Sequence, residues 1–439
     1  MERESRPLGL VHVASIVIGA IVGVGIFFTP ASLAKALPTP AWILGIWLLG
    51  GVVSLSGALV FADLGARFPQ AGGIYVFLRE GFGPRAGPPL AFLYGWIELL
   101  VVQPGSMAVI AIVLVQNIEF LKGPLPPMLE GGLAVLAILA FTAANLLGLK
   151  TGGRIQVGMA AMKLGALATL IAIGFAYGHS DKVLTPRPEA AGGNVASWLV
   201  LGLIPVLFSF GGAYHATYVA GSVRDPERSV PRGILLGIAC VLVGYLAVNV
   251  AFLGVLGHAG LASSKSPAAD VAALVLGSFA GKALAVVIIL SASGILNTIC
   301  LGFPFVIYAM AKDGLFFERA GRLDARTGRP ATAVALQGLF ACAAVVIGSA
   351  QVDVLMAGIA FLDAAFQGAV GIVHLRTRND ATRATLRAPA IASLTFLFLE
   401  GGLAIGCLFQ KPKESAYGVC VLAAGAVAWR LFRGRKPAP

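Results

Sequence analysis

Long apolar stretches dominate this chain. There are about twelve, each near the ~20 residues that a helix needs to cross a bilayer core, with short polar or Pro/Gly-rich breaks between them. They begin near Leu8, Pro40, Pro88, Gly131, Gly152, Ala196, Gly233, Val271, Ala331, Asp353, Pro389 and Ala416. The pattern predicts an all-α integral membrane protein of about 12 transmembrane helices, forming one transmembrane domain over residues 1–439. The first stretch reads as a span rather than a cleaved leader. Its apolar run continues through Gly23 to Ala36, and no small-residue cleavage site is followed by a mature soluble sequence.

Composition agrees with this pattern. The 439 residues are 58% apolar and 12% charged, with mean hydropathy +0.89, whereas a soluble domain carries about 25% charged residues. The net charge of +12 would by itself suit a polyanionic partner, but the cations are unevenly placed. With the N-terminus cytoplasmic, most Lys and Arg fall on the inner side, led by Arg319, Arg322, Arg326 and Arg329 in one loop and Arg376, Arg378, Arg383 and Arg387 in another. The outer side holds few, among them Lys35, Lys122, Lys182 and Arg187. The charge therefore reports topology, with both termini cytoplasmic, and implies no nucleic-acid partner. Cys240, Cys300, Cys342, Cys407 and Cys420 all lie in apolar stretches without metal-ligand spacing and read as small hydrophobes. The sequence has no Gly-x-x-x-x-Gly-Lys-Ser/Thr loop and no His-Glu-x-x-His pair, which disfavours nucleotide-driven pumping and metalloprotease chemistry. No cofactor or metal is expected, and no convergent nucleophile and base marks an enzyme.

Two stretches carry glycine interruptions at corresponding places. Stretch 1 reads Ile18-Gly19-Ala20-Ile21-Val22-Gly23-Val24-Gly25-Ile26-Phe27 and stretch 6 reads Phe208-Ser209-Phe210-Gly211-Gly212-Ala213. First and sixth are the positions that a five-plus-five inverted repeat assigns to unwound helices, and such breaks point to a substrate site. An unwound turn frees N–H and C=O groups that, in a membrane, need a partner or a wet cavity. A zwitterion supplies both. Amides around Gly23, Val24 and Gly25, at the start of the outer half-helix, would hold a carboxylate, while carbonyls of Ile21, Phe208, Ser209 and Gly211 would accept from an ammonium group. The competing reading is that these glycines only permit close helix packing, since the chain has 56 glycines.

These residues resemble the amino acid-polyamine-organocation (APC) superfamily, and within it the L-type amino acid transporters and their bacterial permease relatives. The resemblance is carried by Gly23-Val24-Gly25-Ile26-Phe27, by Phe61-Ala62-Asp63-Leu64-Gly65 with Phe68-Pro69-Gln70-Ala71-Gly72-Gly73-Ile74-Tyr75, and by Tyr94-Gly95-Trp96-Ile97-Glu98-Leu99-Leu100. Gly211-Gly212 followed by Asp225-Pro226-Glu227-Arg228, and Pro231-Arg232, complete the set. It implies a leucine-transporter-type fold, with a first repeat over 8–177, a second over 196–376, helices 1 and 6 broken, and two additional C-terminal helices over 389–433. It also implies alternating access around a central amino acid site, by rocking of the bundle containing segments 1, 2, 6 and 7.

Lys163 lies nine residues beyond the interfacial Arg154, hence about 14 Å deeper along an unbroken helix. An unpaired charge there would cost at least ~2.5–3.5 kcal/mol, so a partner is required. The resemblance implies that Lys163 stands where sodium-coupled relatives bind a cation, touching a carbonyl of the first break and the hydroxyl of Ser291. The alternative is a structural pairing with Glu98 or Asp363. Phe208 matches the aromatic residue that closes over substrate in the family, or else is a core Phe. Three departures bear on the pocket: Ala213 and Ser222 replace residues that are commonly Trp and Glu, and Val24 stands where a smaller residue is typical. The first would enlarge the site, the second would remove an intracellular gating ion pair, and the third would crowd the carboxylate end. The loop from Lys122 to Glu130 has no Cys, so no disulfide-linked heavy chain is expected.

Asp363, Glu98 and Glu400 are carboxylates inside apolar stretches and functional candidates on that ground. Asp363 could accept a proton or face a cationic side chain. His215 lies just past the second break and could titrate near neutral pH, or simply pack. The expected function is sodium-independent transport of amino acids across the cytoplasmic membrane, as exchanger or proton-coupled symporter. A polyamine or amine carrier and a non-transporting amino acid sensor are the rivals.

Overall fold

The computed structural model describes residues 6–23, 25–184, 194–348, 352–379, 386–410 and 412–433. Among them the chain is all helix and loop, apart from one isolated parallel bridge between Leu8 and Val223. The helices are α1 (Leu10–Ile21), α2 (Gly25–Ala36), α3 (Pro40–Arg67), α4 (Ile74–Gly81), α5 (Gly83–Ile97) and α6 (Gln103–Lys122), followed by α7 (Pro127–Leu146), α8 (Leu149–Tyr177) and α9 (Ser180–Leu184). The second half holds α10 (Val195–Ser209), α11 (His215–Tyr218), α12 (Pro226–Ser263), α13 (Pro267–Leu276), α14 (Ala280–Gly302), α15 (Pro304–Lys312), α16 (Ala331–Gly348) and α17 (Val352–Thr377). The chain ends in α18 (Ala390–Gln410) and α19 (Pro412–Phe432).

Seven helical runs among the described residues are long and apolar enough to cross a membrane, and α1 with α2, bent by 44°, makes an eighth. Their outer surfaces carry large apolar side chains, with Val346 76%, Ile347 84% and Phe398 79% exposed, a surface suited to hydrocarbon rather than water. The protein is thus a multi-span membrane protein.

Local sequence explains where several helices start and stop. Thr39 accepts a hydrogen bond from the Trp42 amide at 3.4 Å, and Pro40 follows it, so α3 begins with a capped first turn. Asp225 adopts φ +45°, and Pro226 then opens α12 earlier than the apolar pattern places it. The stretch expected from Val271 is not one helix. Gly277, at φ +51°, ends α13, and a short 3₁₀ turn over Gly277–Phe279 separates it from α14. The stretch expected from Pro88 begins at Gly83 and runs through a π-turn at Glu98–Val102 into α6.

α1 packs against α8, α12 and α14, and α12 also packs along α3. A chain of buried amides ties this centre together. Asn145 on α7 donates to the Asn297 side-chain oxygen at 3.0 Å. Asn297 on α14 donates to the Gln156 oxygen at 2.8 Å, and Gln156 on α8 donates to the Ser15 carbonyl of α1 at 3.1 Å. A Cβ at Gly19 would overlap the Gln156 side chain, so the absence of a side chain there lets α8 reach α1.

At the end of α3 lies a second polar cluster. Asp63, fully buried, accepts from Arg67 Nε at 2.5 Å and from the Ala388 amide at 2.9 Å, and pairs with His374 Nε2 at 2.8 Å. Arg67 also donates to the Thr377 carbonyl at 2.8 Å, and His374 Nδ1 meets Ser393 Oγ at 2.6 Å. One carboxylate therefore joins α3, α17 and the approach to α18. Removing a partner from a buried charge cluster costs about 3–5 kcal/mol. Asp63→Ala is expected to lose stability on that scale, read as a lowered unfolding midpoint of the detergent-solubilised protein. A midpoint unchanged from wild type would show that the cluster does not hold these helices.

Candidate functional site

α1 stops at Ile21, and Val22 turns to an extended conformation at ψ 93°. Stopping a helix strands the carbonyls of its last turn. Ile18 recovers a partner from the Val22 amide at 2.8 Å. Three more, at Gly19, Ile21 and Val22, are met by side chains from three neighbouring helices. Lys163 Nζ on α8 donates to Gly19 O at 2.7 Å, Tyr245 OH on α12 donates to Ile21 O at 3.0 Å, and Ser291 Oγ on α14 donates to Val22 O at 3.0 Å. Lys163 and Ser291 therefore both address the first break, but at different carbonyls. The stem of Lys163 lies against Gly294, where a Cβ would come within 2.8 Å of Cε. The carboxylates weighed as its partners are engaged elsewhere: Glu98 accepts from Gln103 Nε2 at 2.6 Å, and Asp363 from Gln367 Nε2 at 2.6 Å.

The second break follows α10. Gly211 N donates to Phe208 O at 3.2 Å, so the Phe208 carbonyl is part of the turn, and Gly212 takes φ +110°. The two breaks touch. A Cβ at Gly212 would lie 2.9 Å from the Ala20 Cβ, and one at Gly25 would lie 2.7 Å from Ser209 Oγ. Close packing is thus one use of these glycines, as the competing reading held. Ser209 Oγ donates to Pro205 O at 2.8 Å and meets Thr29 Oγ1 at 3.2 Å. Tyr245 OH also reaches Ser209 O at 3.3 Å, so a single hydroxyl bridges the two interruptions. Its ring is held by Phe210 and Trp47, with centroids 5.1 and 5.4 Å away.

Beside the joined breaks lies a cavity of about 570 Å³. Its wall includes Ile21, Gly23, Gly25, Phe208, Ser209, Gly211 and Ala213 from the breaks, together with His215 and Asp363. Val24 lies outside the described residues. Lys163 and Ser291 are not on this wall; they stand behind the first break. Glu98 is not on it either, being 1% exposed in the π-turn, although its partner Gln103 is. Phe208 does not cover the cavity here. It lines the wall with its side chain 64% exposed. His215 stacks on Tyr214 at 4.6 Å, and Tyr214 OH donates to Asp363 at 3.4 Å.

Sequence reasoning missed Tyr245, Gln103, Gln367 and Tyr214. Tyr245 left a signal, because a phenol in the middle of an apolar run needs a hydrogen-bond partner. From the breaks, the wall extends along α6 to Val113 and along α3 to Val53, toward Lys122 and Pro40. The opposite end is shut. Leu8 N donates to Ser222 O at 3.3 Å and Arg224 N to Leu8 O at 2.8 Å, so backbone pairing stands at the position where Ser222 offers no charge. Arg79 on α4 pairs with Asp313, just past α15, at 2.6 Å, and Tyr75 OH donates to the same carboxylate at 2.7 Å.

A model of the amino acid permease family matches residues 8–425. The cystine/glutamate transporter of Homo sapiens is 26% identical over 437 residues, covering 97% of this chain and 85% of that protein. The b(0,+)-type amino acid transporter 1 of Homo sapiens is 27% identical, covering 97% and 88%. The serine/threonine exchanger SteT of Bacillus subtilis (strain 168) is 26% identical, covering 98% of each. With the match running over nearly the whole chain, this protein belongs to the amino acid permease family of the APC superfamily and is a secondary transporter of amino acids, not an enzyme.

Proposed function

We propose that this permease moves amino acids across the cytoplasmic membrane without sodium, by exchange or with protons, through twelve spans arranged as two inverted five-helix repeats and two further helices. Support for sodium independence comes above all from Lys163, whose ammonium donates to Gly19 O at 2.7 Å. A fixed cation there supplies the positive charge that a bound metal ion would otherwise bring to the carbonyls of the first break. The name of the Bacillus relative, an exchanger, favours exchange. Interruptions in the first and sixth stretches favour the repeat, and the Lys/Arg distribution favours cytoplasmic termini. On that topology the cavity opens outward, and the Leu8–Val223 and Arg79–Asp313 contacts close the inner side. The Cys-free loop from Lys122 to Glu130 supports a carrier without a disulfide-linked heavy chain.

In this reading the α-carboxylate sits at the amides opening α2, and the α-ammonium is taken by carbonyls at the ends of α1 and α10. Ile21 O and Ser209 O already accept from Tyr245, and each has a second lone pair. Phe208, standing at the rim, would close over substrate.

Uptake into proteoliposomes preloaded with unlabelled amino acids is expected with sodium absent. A strict sodium requirement would overturn the assignment of Lys163, and ligand binding without uptake would make the protein a sensor. Lys163→Ala leaves a buried carbonyl without its donor, a loss of about 1–3 kcal/mol. It is expected to lower uptake by about fivefold or more, and unchanged sodium-independent uptake would contradict that role. Gly25→Val pushes a side chain into Ser209 and is expected to abolish amino acid uptake. Tyr245→Phe, which deletes the hydroxyl between the breaks, is expected to slow uptake several-fold, on the scale of a lost buried hydrogen bond of about 1–3 kcal/mol. Wild-type rates in either variant would separate the breaks from transport.

A further inference from the structure

The backbone of the two breaks does not account for the charge of the cavity. Among its described lining residues the ionisable side chains are Asp363, Glu400, His215 and the phenol of Tyr214, and none is Lys or Arg. Asp363 Oδ2 is held by Gln367 and Tyr214, while Oδ1 is buried without a hydrogen bond. Glu400 comes from α18, which packs on α17; a Cβ at Gly368 of α17 would lie 3.6 Å from the Glu400 Cβ. His215 is 8% exposed, and its Nδ1 is buried without a partner. Titratable side chains thus converge on one chamber from α11, α17 and α18. Lys163, the buried cation at the breaks, is engaged on Gly19 O and is not on the chamber wall.

Carboxylates in an apolar wall are neutralised by a proton or by a counter-charge. An anionic side chain entering this chamber would meet two carboxylates and no fixed cation, and an apolar side chain would leave both unmet. A side chain ending in ammonium or guanidinium brings three to five donors to these acceptors. The volume of about 570 Å³ lies within the range of about 300–1,000 Å³ of pockets that enclose small molecules.

We propose that this chamber selects amino acids with cationic side chains, of the lysine, ornithine and arginine class, with Asp363 and Glu400 receiving the distal charge while the breaks hold the α-amino and α-carboxylate groups. The inference rests on the amino acid transport reading and names its substrate. Asp363 and Glu400 are then specificity-determining residues, and His215 contributes a further ring nitrogen to the same chamber.

The test uses the full chain in proteoliposomes, with labelled L-arginine and labelled L-leucine as tracers and L-lysine, L-leucine, L-glutamate and cadaverine as competitors. L-lysine is expected to compete at concentrations at least about tenfold below L-leucine or L-glutamate, equivalent to about 1.4 kcal/mol. Cadaverine, which lacks the α-carboxylate, is expected to compete poorly. Asp363→Asn and Glu400→Gln should each move the lysine-to-leucine ratio toward one. Leucine uptake with no cationic preference overturns the substrate class while amino acid transport stands. Cadaverine equal to lysine overturns it in favour of an amine carrier, and uptake of no amino acid overturns the transport reading itself. A ratio unchanged in both variants removes the role of these carboxylates. Thermal stabilisation of the wild-type protein by L-lysine but not by L-leucine reads the same preference without variants, and the reverse order overturns it.

Discussion

A helix interrupted inside hydrocarbon must find new partners for the carbonyls it strands, and this requirement organises the centre of the molecule. The end of α1 presents the carbonyls of Gly19, Ile21 and Val22 to the protein interior. Three donors answer, an ammonium, a phenol and a hydroxyl, each carried by a different long helix. α8, α12 and α14 are therefore bound to the same few backbone atoms. The amide chain from Asn145 through Asn297 and Gln156 to Ser15 extends the arrangement one turn further down α1.

From this follows the closeness of the two breaks. Ala20 against Gly212 and Gly25 against Ser209 leave no room for a Cβ on either glycine, so the interruptions form one surface. The cavity sits on that surface because unwound backbone is tolerated at membrane depth only where protein or a cavity covers it. Polar side chains at the far end are spent on closure instead: Asp63 with Arg67 and His374, and Asp313 with Arg79 and Tyr75.

Much of this was legible in the sequence, for identifiable reasons. The breaks were legible because glycine clusters are conspicuous in apolar runs, and Lys163 because depth can be counted from Arg154. Its contact with the first break was reached through the family resemblance. The exact carbonyls were not legible: Lys163 and Ser291 address Gly19 and Val22 separately, since the rotation of α8 and α14 about α1 is set by packing at Gly294 and Gly19. Glu98 was visible as a buried acid, but its partner Gln103 comes within reach only because the helix widens to a π-turn there. The division of α13 from α14 turned on a single positive φ at Gly277, in a run otherwise apolar throughout. Phe208 could be placed at the break by motif, but not its exposure on the cavity wall, which is set by the packing around α10.

The Tyr245 hydroxyl has one proton and two carbonyls to serve, Ile21 O at 3.0 Å and Ser209 O at 3.3 Å. It cannot saturate both. The phenol proton is therefore shared between the ends of α1 and α10, and turning it toward one carbonyl weakens its bond to the other. A joint built in this way leaves both carbonyls with spare acceptor capacity, so a further N–H can bond there without displacing the phenol.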